Sequence, residues 1–394
     1  MLNITDLDLK NKRVLIREDL NVPMTNGQIS NERRIDAAIP TIQFAIDAGA
    51  RVMICSHLGR PEEGIFNPQF SLAPVAKYLS QRLNKSVTLA PLGIPSDAPA
   101  FGEILLWENV RFNIGEMDND ANLARKMAAV CDIFVMDAFA TAHRRQASTY
   151  GVAEFAPTIC AGLLLQKELA ALEKICATPA HPTVAIIGGS KVSSKLKLLH
   201  ALLKKADKII VGGGIANTFI AAAGFSVGKS LYEPNLLAET RQLLATAKQH
   251  NVEIPLPIDV VVAKECSEGA ETQIKLISNV AADEMILDVG PQTLAQFATM
   301  VSSAKTILWN GPLGVFEIDA FAAGTHGLAL AIANNQQALT VAGGGDTLAA
   351  IDKWNLSEKL SYISTGGGAF LEYLEGTPLP VIELLEEKQN VKTD

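Results

Sequence analysis

The sequence predicts an α/β protein with two Rossmann-like domains, each a mostly parallel sheet with helices on both faces, joined by a hinge helix. Short runs rich in Val, Ile and Leu alternate along the chain with longer helical patterns. Several of these runs are apolar without alternation, as strands buried on both faces are. The chain has 394 residues, which is too long for one ordinary core and indicates two domains.

The predicted strands are the short apolar runs that are bounded by turn residues or helical patterns. They are residues 14–16, 52–55, 104–106, 133–136, 184–187, 209–211, 260–262, 306–309, 339–341 and 362–364. The clearest helical patterns between them are residues 72–83, 122–130, 196–204 and 293–301. This alternation predicts parallel strands with helical crossovers. We place the domains at residues 1–165 and 166–374, with the seam in the helical segment 162–177.

Composition excludes several classes of protein. The net charge of −8 argues against a general nucleic-acid binder or membrane-surface binder. The five cysteines are scattered without a CxxC pair, which indicates reduced thiols and neither a disulfide framework nor a zinc site. The N-terminus shows no basic region followed by an apolar one, so we expect no secretory signal and a cytoplasmic location.

Basic side chains follow the predicted strands of the first half. Arginine suits phosphate and carboxylate groups because its planar fork donates two parallel hydrogen bonds. Taken singly, each of these arginines fits a surface ion pair; together they favour a site for a small, multiply charged acid. Asp19 and Asn21 would bond its hydroxyl groups. His57 and His143 lack a third residue at metal-ligand spacing, so we expect phosphate contact or local hydrogen bonding from them. The basic residues are Arg34, His57, Arg60, Arg111, His143 and Arg144.

Glycine clusters follow the predicted strands of the second half. Glycine allows close approach of the backbone to a ligand and directs N–H groups towards phosphate oxygens. None of the clusters fits GxxxxGK[ST] or the dinucleotide pattern GxGxxG, so the sequence predicts a nucleotide site of another kind. The clusters begin at Gly188, Gly212, Gly343 and Gly366.

Four charged residues near these glycines are candidate nucleotide ligands. Lys191 and Lys195 would lie one turn apart on a helix that begins near Ser190, facing the same phosphates; the alternative is a solvated helix face. Asp346 would reach a magnesium ion held mainly by phosphates, or would cap a helix. Glu317 would accept hydrogen bonds from ribose hydroxyls.

The motifs that carry these residues resemble the phosphoglycerate kinase family, in order, from about residue 4 to residue 385. They read IREDLNVP at 16–23, SHLGRP at 56–61, ENVRF at 108–112, DAFATAHR at 137–144, GGSKV at 188–192, WNGP at 309–312, GGGDT at 343–347 and STGGGA at 364–369. Two positions depart from the family pattern: Glu18 stands where a small or apolar residue is usual, and Ala140 where glycine is usual. Neither is a contact residue in the family.

The resemblance implies roles for individual residues and a return of the chain, from about residue 375 to 394, to the first domain. Phosphoglycerate would be bound by Asp19, Leu20, Asn21, Arg34, His57, Leu58, Gly59, Arg60, Arg111 and Arg144. The nucleotide would be bound by Lys195, Gly212, Gly213, Glu317, Gly344, Gly345, Asp346 and Thr347, with Asp346 on Mg²⁺. The group in flight would be stabilised by Arg34, Lys191, Gly367 and Gly368.

The implied activity is reversible phosphoryl transfer between 1,3-bisphosphoglycerate and ADP, giving 3-phosphoglycerate and ATP in glycolysis and gluconeogenesis. The enzyme would be a monomeric phosphotransferase with a carboxyl acceptor. Donor and acceptor oxygens are already anionic, so we expect hinge closure and charge stabilisation without a general base. A nicotinamide dehydrogenase would need the dinucleotide fingerprint that is missing. A non-catalytic phosphometabolite-binding protein would leave Lys191, Lys195 and Asp346 without a purpose.

Overall fold

A computed structural model describes residues 1–390 of the chain, which divide into two compact units. Unit 1 comprises Met1–Ala170 together with the segment from Thr377, and unit 2 comprises Ala171–Gly376. The end of the predicted C-terminal segment, residues 391–394, lies outside the described residues. Within residues 1–390, no helix is both long enough and apolar enough to span a bilayer.

Unit 1 alternates strands and helices from its first strand onward. Its elements before the boundary are β1 (Arg13–Arg17), β2 (Met24–Thr25), β3 (Gln28–Ile29), α1 (Arg33–Asp47), β4 (Arg51–Cys55), α2 (Ala73–Leu83), β5 (Val87–Leu89), β6 (Ile104–Leu106), α3 (Ala121–Ala129), β7 (Ile133–Met136), α4 (Val152–Phe155) and β8 (Thr158–Ala161). Short 3₁₀ turns, among them Val110–Phe112 and Phe139–Thr141, and one π-helical turn, Ala147–Gly151, connect them.

The main sheet of unit 1 has six strands in the order β5-β6-β4-β1-β7-β8, and every neighbouring pair is parallel. In the central pairing, Ile16 lies opposite Ile54 and Val135. All four residues of β7 are buried, as expected for a strand covered on both faces. Because the strands are parallel, their carboxyl ends meet at one edge, where parallel α/β sheets place their ligands.

One long helix carries the boundary between the units. This helix, α5, spans Leu163–Cys176, and the boundary falls between Ala170 and Ala171. The predicted helical seam at residues 162–177 therefore coincides with a single helix.

Unit 2 repeats the alternation of strands and helices and adds a small separate sheet. Its elements are β9 (Thr183–Ile187), α6 (Leu196–Leu202), β10 (Lys208–Val211), α7 (Gly213–Ala222), α8 (Leu237–Gln249), β11 (Asp259–Ala263), β12 (Gln273–Leu276), β13 (Met285–Val289), α9 (Pro291–Ser302), β14 (Thr306–Asn310), α10 (Ala323–Asn334), β15 (Leu339–Gly343), α11 (Gly345–Lys353), β16 (Tyr362–Ser364) and α12 (Gly368–Leu374).

The five-stranded sheet of unit 2 is parallel throughout, in the order β10-β9-β14-β15-β16. It is flanked by helices, so the predicted α/β class with two Rossmann-like domains is confirmed. The strand predicted at residues 260–262 is present, but it lies in an antiparallel sheet of order β12-β11-β13. The prediction that residues 260–262 form a strand of a parallel sheet is wrong. Its partner β12 is mostly exposed and lacks the apolar run of a buried strand.

The last helix, α13 (Pro380–Asn390), belongs to unit 1. The N–H of Val381 donates to the carbonyl of Ala142 at 3.2 Å. Near the other end, Lys388 Nζ donates to the carbonyls of Ala153 and Glu154 at 2.8 and 2.7 Å. These bonds attach α13 to the segment that follows β7.

Candidate active site

Three of the predicted residues meet at the end of β1. Arg34 lies in the first turn of α1, and not directly after a strand as expected from the sequence. Its Nη1 donates to Asp19 Oδ2 at 2.8 Å and to the Asn21 carbonyl at 3.0 Å. Asp19 is buried, whereas the Arg34 side chain keeps 31% of its surface exposed. The guanidinium is thus oriented by two acceptors while part of it faces solvent.

The loop after β4 is attached to the loop after β1 through Gly59. The Gly59 N–H donates to Asn21 Oδ1 at 2.8 Å, and its carbonyl accepts from Arg111 Nη1. Gly59 has φ +61°, and a Cβ there would lie 2.3 Å from Phe70 Cδ1. Glycine is required at this position both by the left-handed backbone and by the neighbouring ring. Leu58 is buried beside it.

His57 is almost fully buried and lies against Arg17. Its Nδ1 is 3.3 Å from Arg17 Nη2 and 4.0 Å from Asp19 Oδ1. Burial, with the charges of Arg17 and Arg111, holds the pKa of His57 well below its usual value. An arginine only donates hydrogen bonds, so Nδ1 accepts and the ring proton of the neutral imidazole is on Nε2.

The lowered pKa values of Arg111 and His143 reflect burial as well as the positive charge of neighbouring arginines. Arg111 is buried in the 3₁₀ turn after β6, and burial, with the charges of Arg144 and Arg17, lowers its pKa to about 10. Arg144 Nε donates to His143 Nε2 at 3.1 Å, and burial with Arg144 lowers the pKa of His143 to about 4. Arg60 is exposed at the same edge. A guanidinium with a lowered pKa is stabilised by an added anion.

The two departures from the family motifs cause no local distortion. The Glu18 N–H donates to the Cys55 carbonyl at 3.0 Å, which continues the ladder between β1 and β4. Glu18 is buried, and burial together with Asp137 raises its pKa well above the usual range. Ala140 lies within the 3₁₀ turn Phe139–Thr141, where no left-handed backbone calls for glycine.

A cavity of about 420 Å³ lies at the strand-end edge of unit 2. Its polar lining includes Ser190, Asn217, Glu317 and Asp346, and its apolar lining includes Leu231 and Val315. The remaining lining residues are Gly189, Gly213, Gly214, Cys266, Met285, Ile286, Leu287, Pro312 and Gly314. A largely apolar pocket with a few polar groups has the character of a small-molecule site.

Lys195 is anchored beside this cavity. Its Nζ donates to Asn310 Oδ1 at 2.7 Å, and Asn310 Nδ2 donates to the Gly343 carbonyl at 2.6 Å. Burial lowers the pKa of Lys195, although Glu375 and Asp346 act in the opposite direction. The ammonium is therefore fixed near the ends of β14 and β15.

The predicted helix that would align Lys191 with Lys195 is wrong. Lys191 has extended backbone, with φ −135° and ψ 126°, and α6 begins only at Leu196 after a 3₁₀ turn. Ser194 Oγ donates to the Lys191 carbonyl at 2.7 Å, and Ser193 N–H donates to Glu233 at 2.8 Å. These local serine bonds favour a turn over a helix. Lys191 is exposed.

The glycines after β9 and β10 allow close packing of the backbone, whereas the sequence predicted that their N–H groups point towards a ligand. The N–H groups of Gly212 and Gly213 donate to the carbonyls of Ile187 and Leu313, so they do not point at a ligand as predicted. A Cβ on Gly188 would lie 1.9 Å from the Pro312 carbonyl oxygen. Glycine at this point allows the loops after β9 and β14 to approach each other.

The segment after β15 leads directly into a helix. Gly344, with φ +101°, is the N-cap of α11, so the alternative that Asp346 caps the helix is wrong. Asp346 is exposed in the first turn, next to Gly345. Thr347 is buried, and its Oγ1 accepts from the Gly311 N–H at 2.7 Å. The first N–H groups of α11 have no acceptor within the helix and favour an anion.

Gly367 and Gly368 stand in the corresponding place after β16. Gly367 has φ +51° and precedes α12, which begins at Gly368. Nothing lies within 4 Å of the position that a Cβ on Gly367 would occupy. Gly367 is half-buried and Gly368 is exposed.

Within residues 1–390, no group of three or more His, Cys, Asp or Glu residues is arranged to hold a metal ion. The exposed carboxylate of Asp346 beside the cavity fits a Mg²⁺ ion whose other ligands are phosphate oxygens and water, the usual arrangement for this ion with nucleotides.

Sequence reasoning placed Arg17 after a strand of the first half without giving it a role, and it missed Glu116 and Ser148. All three are fully buried, and Arg17 contacts both Ser148 and His57. A charged residue that ends the apolar strand β1 was the available signal for Arg17. Ser148 and Glu116 are remote in sequence and carry no such signal.

Comparison with known proteins places the chain in one family. The family model described as Phosphoglycerate kinase matches residues 4–377. A curated phosphoglycerate kinase from Francisella philomiragia is 56% identical over 390 residues, or 99% of each chain. One from Francisella tularensis subsp. novicida is 57% identical over 387 residues, or 98% of each chain.

Solved structures agree with this assignment. The phosphoglycerate kinase from Coxiella burnetii is 55% identical, with a TM-score of 0.92 over 98% of this chain and 99% of that one. The enzyme from Pyrococcus horikoshii is 32% identical, with a TM-score of 0.81 over 98% of both. The motifs, the two Rossmann-like units and these relatives agree, and the chain belongs to the phosphoglycerate kinase family.

Proposed function

We propose that unit 1 binds the phosphoglycerate and unit 2 binds the magnesium nucleotide in the reaction of this family. That reaction is reversible transfer of a phosphoryl group between 1,3-bisphosphoglycerate and ADP, giving 3-phosphoglycerate and ATP. The observation that carries the placement is the difference between the two strand-end edges. Unit 1 presents clustered guanidinium groups, one of them with a lowered pKa, and unit 2 presents a cavity lined by glycines with two exposed carboxylates, Glu317 and Asp346.

Phosphoglycerate carries a phosphate, a carboxylate and a hydroxyl group, and the unit 1 edge offers a partner for each. The arginines supply forked donors, and neutral His57 supplies an Nε2–H. Asp19 and Asn21 are placed to accept from the hydroxyl, and they also orient Arg34. The proposed ligands are Asp19, Leu20, Asn21, Arg34, His57, Leu58, Gly59, Arg60, Arg111 and Arg144.

We place the nucleotide in the unit 2 cavity with its phosphates towards Lys195 and the first turn of α11. Glu317 lines the cavity and accepts from the ribose. Mg²⁺ would be held by Asp346 and would neutralise part of the phosphate charge. Gly344, Gly345 and Thr347 shape the turn that presents Asp346. Gly212 and Gly213 contribute through close packing at the start of α7.

Catalysis needs no general base because the acceptor oxygen is a carboxylate and the leaving oxygen belongs to a phosphate. His57 and His143 have lowered pKa values and stay neutral, so neither gains or loses a proton during turnover at neutral pH. Arg34, Lys191 and the N–H groups of Gly367 and Gly368 stabilise the charge on the group in flight.

We infer that binding of both ligands draws the two units together. In-line transfer requires reacting atoms within roughly 3–3.5 Å, and the proposed ligands of the two substrates belong to different units. Each ligand alone contacts mainly one unit and has little preference for a closed state. Hinge closure about α5 and other crossing segments would satisfy the requirement.

Small-angle scattering of the apo, singly liganded and doubly liganded protein tests closure. We expect the radius of gyration to fall with 3-phosphoglycerate and MgADP together and to change little with either alone. An unchanged radius with both ligands would contradict closure.

We propose that the protein is a monomer, and the forward scattering in the same experiment measures its mass. We further propose a cytoplasmic location, which agrees with five free thiols, three of them buried.

A further inference from the structure

A continuous line of buried hydrogen bonds runs beneath the proposed phosphoglycerate site and ends at His57. Ser148 Oγ donates to Glu116 Oε1 at 2.6 Å. The same Ser148 Oγ accepts from Arg17 Nε at 3.1 Å. Arg17 Nη2 then contacts His57 Nδ1 at 3.3 Å. Glu116, Ser148 and Arg17 have 0% exposed surface and His57 has 4%. Glu116, Ser148 and Arg17 do not contact solvent, so these hydrogen bonds hold their side chains in place.

The position of Ser148 is set by an irregular turn. Ser148 lies in the π-helical turn Ala147–Gly151, and such turns occur often at functional sites. Glu116 holds the turn at two further points. Its Oε2 accepts from the Ser148 N–H at 2.9 Å, and its carbonyl accepts from the Ala147 N–H at 3.0 Å. The turn therefore directs the Ser148 hydroxyl towards Arg17.

Arg17 is a buried cation with an unusual set of partners. Among residues 1–390, no carboxylate lies within ion-pair distance of its guanidinium. Its three nitrogens contact Ser148, the Glu18 carbonyl and His57. Ser148 thus connects the guanidinium to Glu116, the nearest acid along the line. Without Ser148, Nε would be buried with no acceptor, which favours rotation of the guanidinium.

We propose that Glu116 and Ser148 are positioning residues for the phosphoglycerate site, fixing Arg17 so that His57 keeps Nδ1 unprotonated and presents Nε2–H to the substrate. Arg17 has only donors, so its contact with Nδ1 selects one tautomer of the neutral ring. The hydrogen bond made by one ring nitrogen of a histidine determines which nitrogen carries the proton and can donate to a ligand. The inference rests on the proposed placement of phosphoglycerate in unit 1.

The chain offers a matched control for removing Ser148 Oγ. Ser71 Oγ donates to Glu108 Oε2 at 2.7 Å, a second buried serine–glutamate bond of unit 1 that does not involve Arg17. The test compares Ser148→Ala with Ser71→Ala. Ser148→Cys, which keeps most of the side-chain volume but accepts hydrogen bonds weakly, replaces Ser148→Ala if that variant does not fold.

Two readouts are measured on each variant. Long-range ¹H–¹⁵N spectra of protein labelled at histidine report the tautomer of His57 without any ligand, with the signal assigned from His57→Gln. Steady-state kinetics report KM for 3-phosphoglycerate and for MgATP. In Ser148→Ala we expect a second His57 tautomer and a rise of about tenfold in KM for 3-phosphoglycerate, with KM for MgATP within about twofold of wild type.

Ser71→Ala should leave both the tautomer and the KM values unchanged. A single unaltered His57 tautomer in Ser148→Ala, or an equal rise in KM in Ser71→Ala, would overturn the proposal. The same spectra test separately whether phosphoglycerate binds in unit 1. If it does not, 3-phosphoglycerate will leave the His57 signals of the wild-type protein unshifted.

Discussion

Replacing Arg34 with alanine is expected to lower kcat by about 100- to 1,000-fold, the usual cost of losing one preorganised donor to transition-state charge. Arg34 is held by Asp19 Oδ2 at 2.8 Å and by the Asn21 carbonyl at 3.0 Å, so its guanidinium is oriented before substrate arrives. A donor fixed in advance pays no reorganisation at the moment of transfer. In the proposed mechanism its contact with the transferring group strengthens as charge develops, so we expect kcat to fall more than KM rises.

Arg82→Ala is the matched control for Arg34→Ala. Arg82 also pairs with an aspartate of unit 1, Asp36, with Nε 2.8 Å from Oδ1, but its side chain is 52% exposed and it lies in the last turn of α2. We expect its kcat to equal that of the wild type. A folded Arg34→Ala variant with near-normal kcat would remove Arg34 from the catalytic assignment and leave it as the partner of Asp19.

Replacing Asp346 with asparagine is expected to weaken binding of MgADP and MgATP at least about tenfold, because loss of even an indirect metal partner commonly costs that much. Asp346 is exposed in the first turn of α11 and lines the unit 2 cavity. Asparagine keeps the size of the side chain but removes the charge that Mg²⁺ prefers in a ligand. Calorimetry with MgADP, and separately with 3-phosphoglycerate, measures the two affinities.

Asp352→Asn provides the control for Asp346→Asn, since Asp352 is an exposed aspartate on the same helix. We expect it to leave both affinities unchanged. The affinity for 3-phosphoglycerate should also be unchanged in Asp346→Asn. Equal losses for both ligands would assign Asp346 a structural role. Titration of ADP without Mg²⁺ should show little difference between wild type and Asp346→Asn.

The strands that the sequence predicted best are those buried on both faces. β6, β7 and β16 have the bounds that the apolar runs indicated. β5 was missed because only one of its three residues is buried, and β12 because its residues are mostly exposed and half polar. β8, which reads TICA, was missed because it has only one residue from the Val, Ile and Leu group. Burial on two faces leaves a continuous apolar signal in sequence, whereas an exposed edge strand leaves almost none.

Site residues that directly follow a strand could be predicted from the sequence, whereas the others could be predicted only in part. Asp19 and Asn21 were found in this way, and the structure brings both to Arg34. The arrangement of Lys191 was predicted wrongly because three residues after it form a 3₁₀ turn and delay the helix to Leu196. Ser148 was missed because its role depends on a tertiary contact across 131 positions.

Hydrogen exchange with either ligand alone tests most directly whether each unit binds its own substrate. With 3-phosphoglycerate we expect slower exchange in unit 1 at residues 17–21 and 56–60 and no change in unit 2 around residues 344–347. With MgADP we expect slower exchange at residues 188–195 and 344–347 and no change at the unit 1 segments. Protection by 3-phosphoglycerate of the unit 2 segments, or by MgADP of the unit 1 segments alone, would contradict the placement.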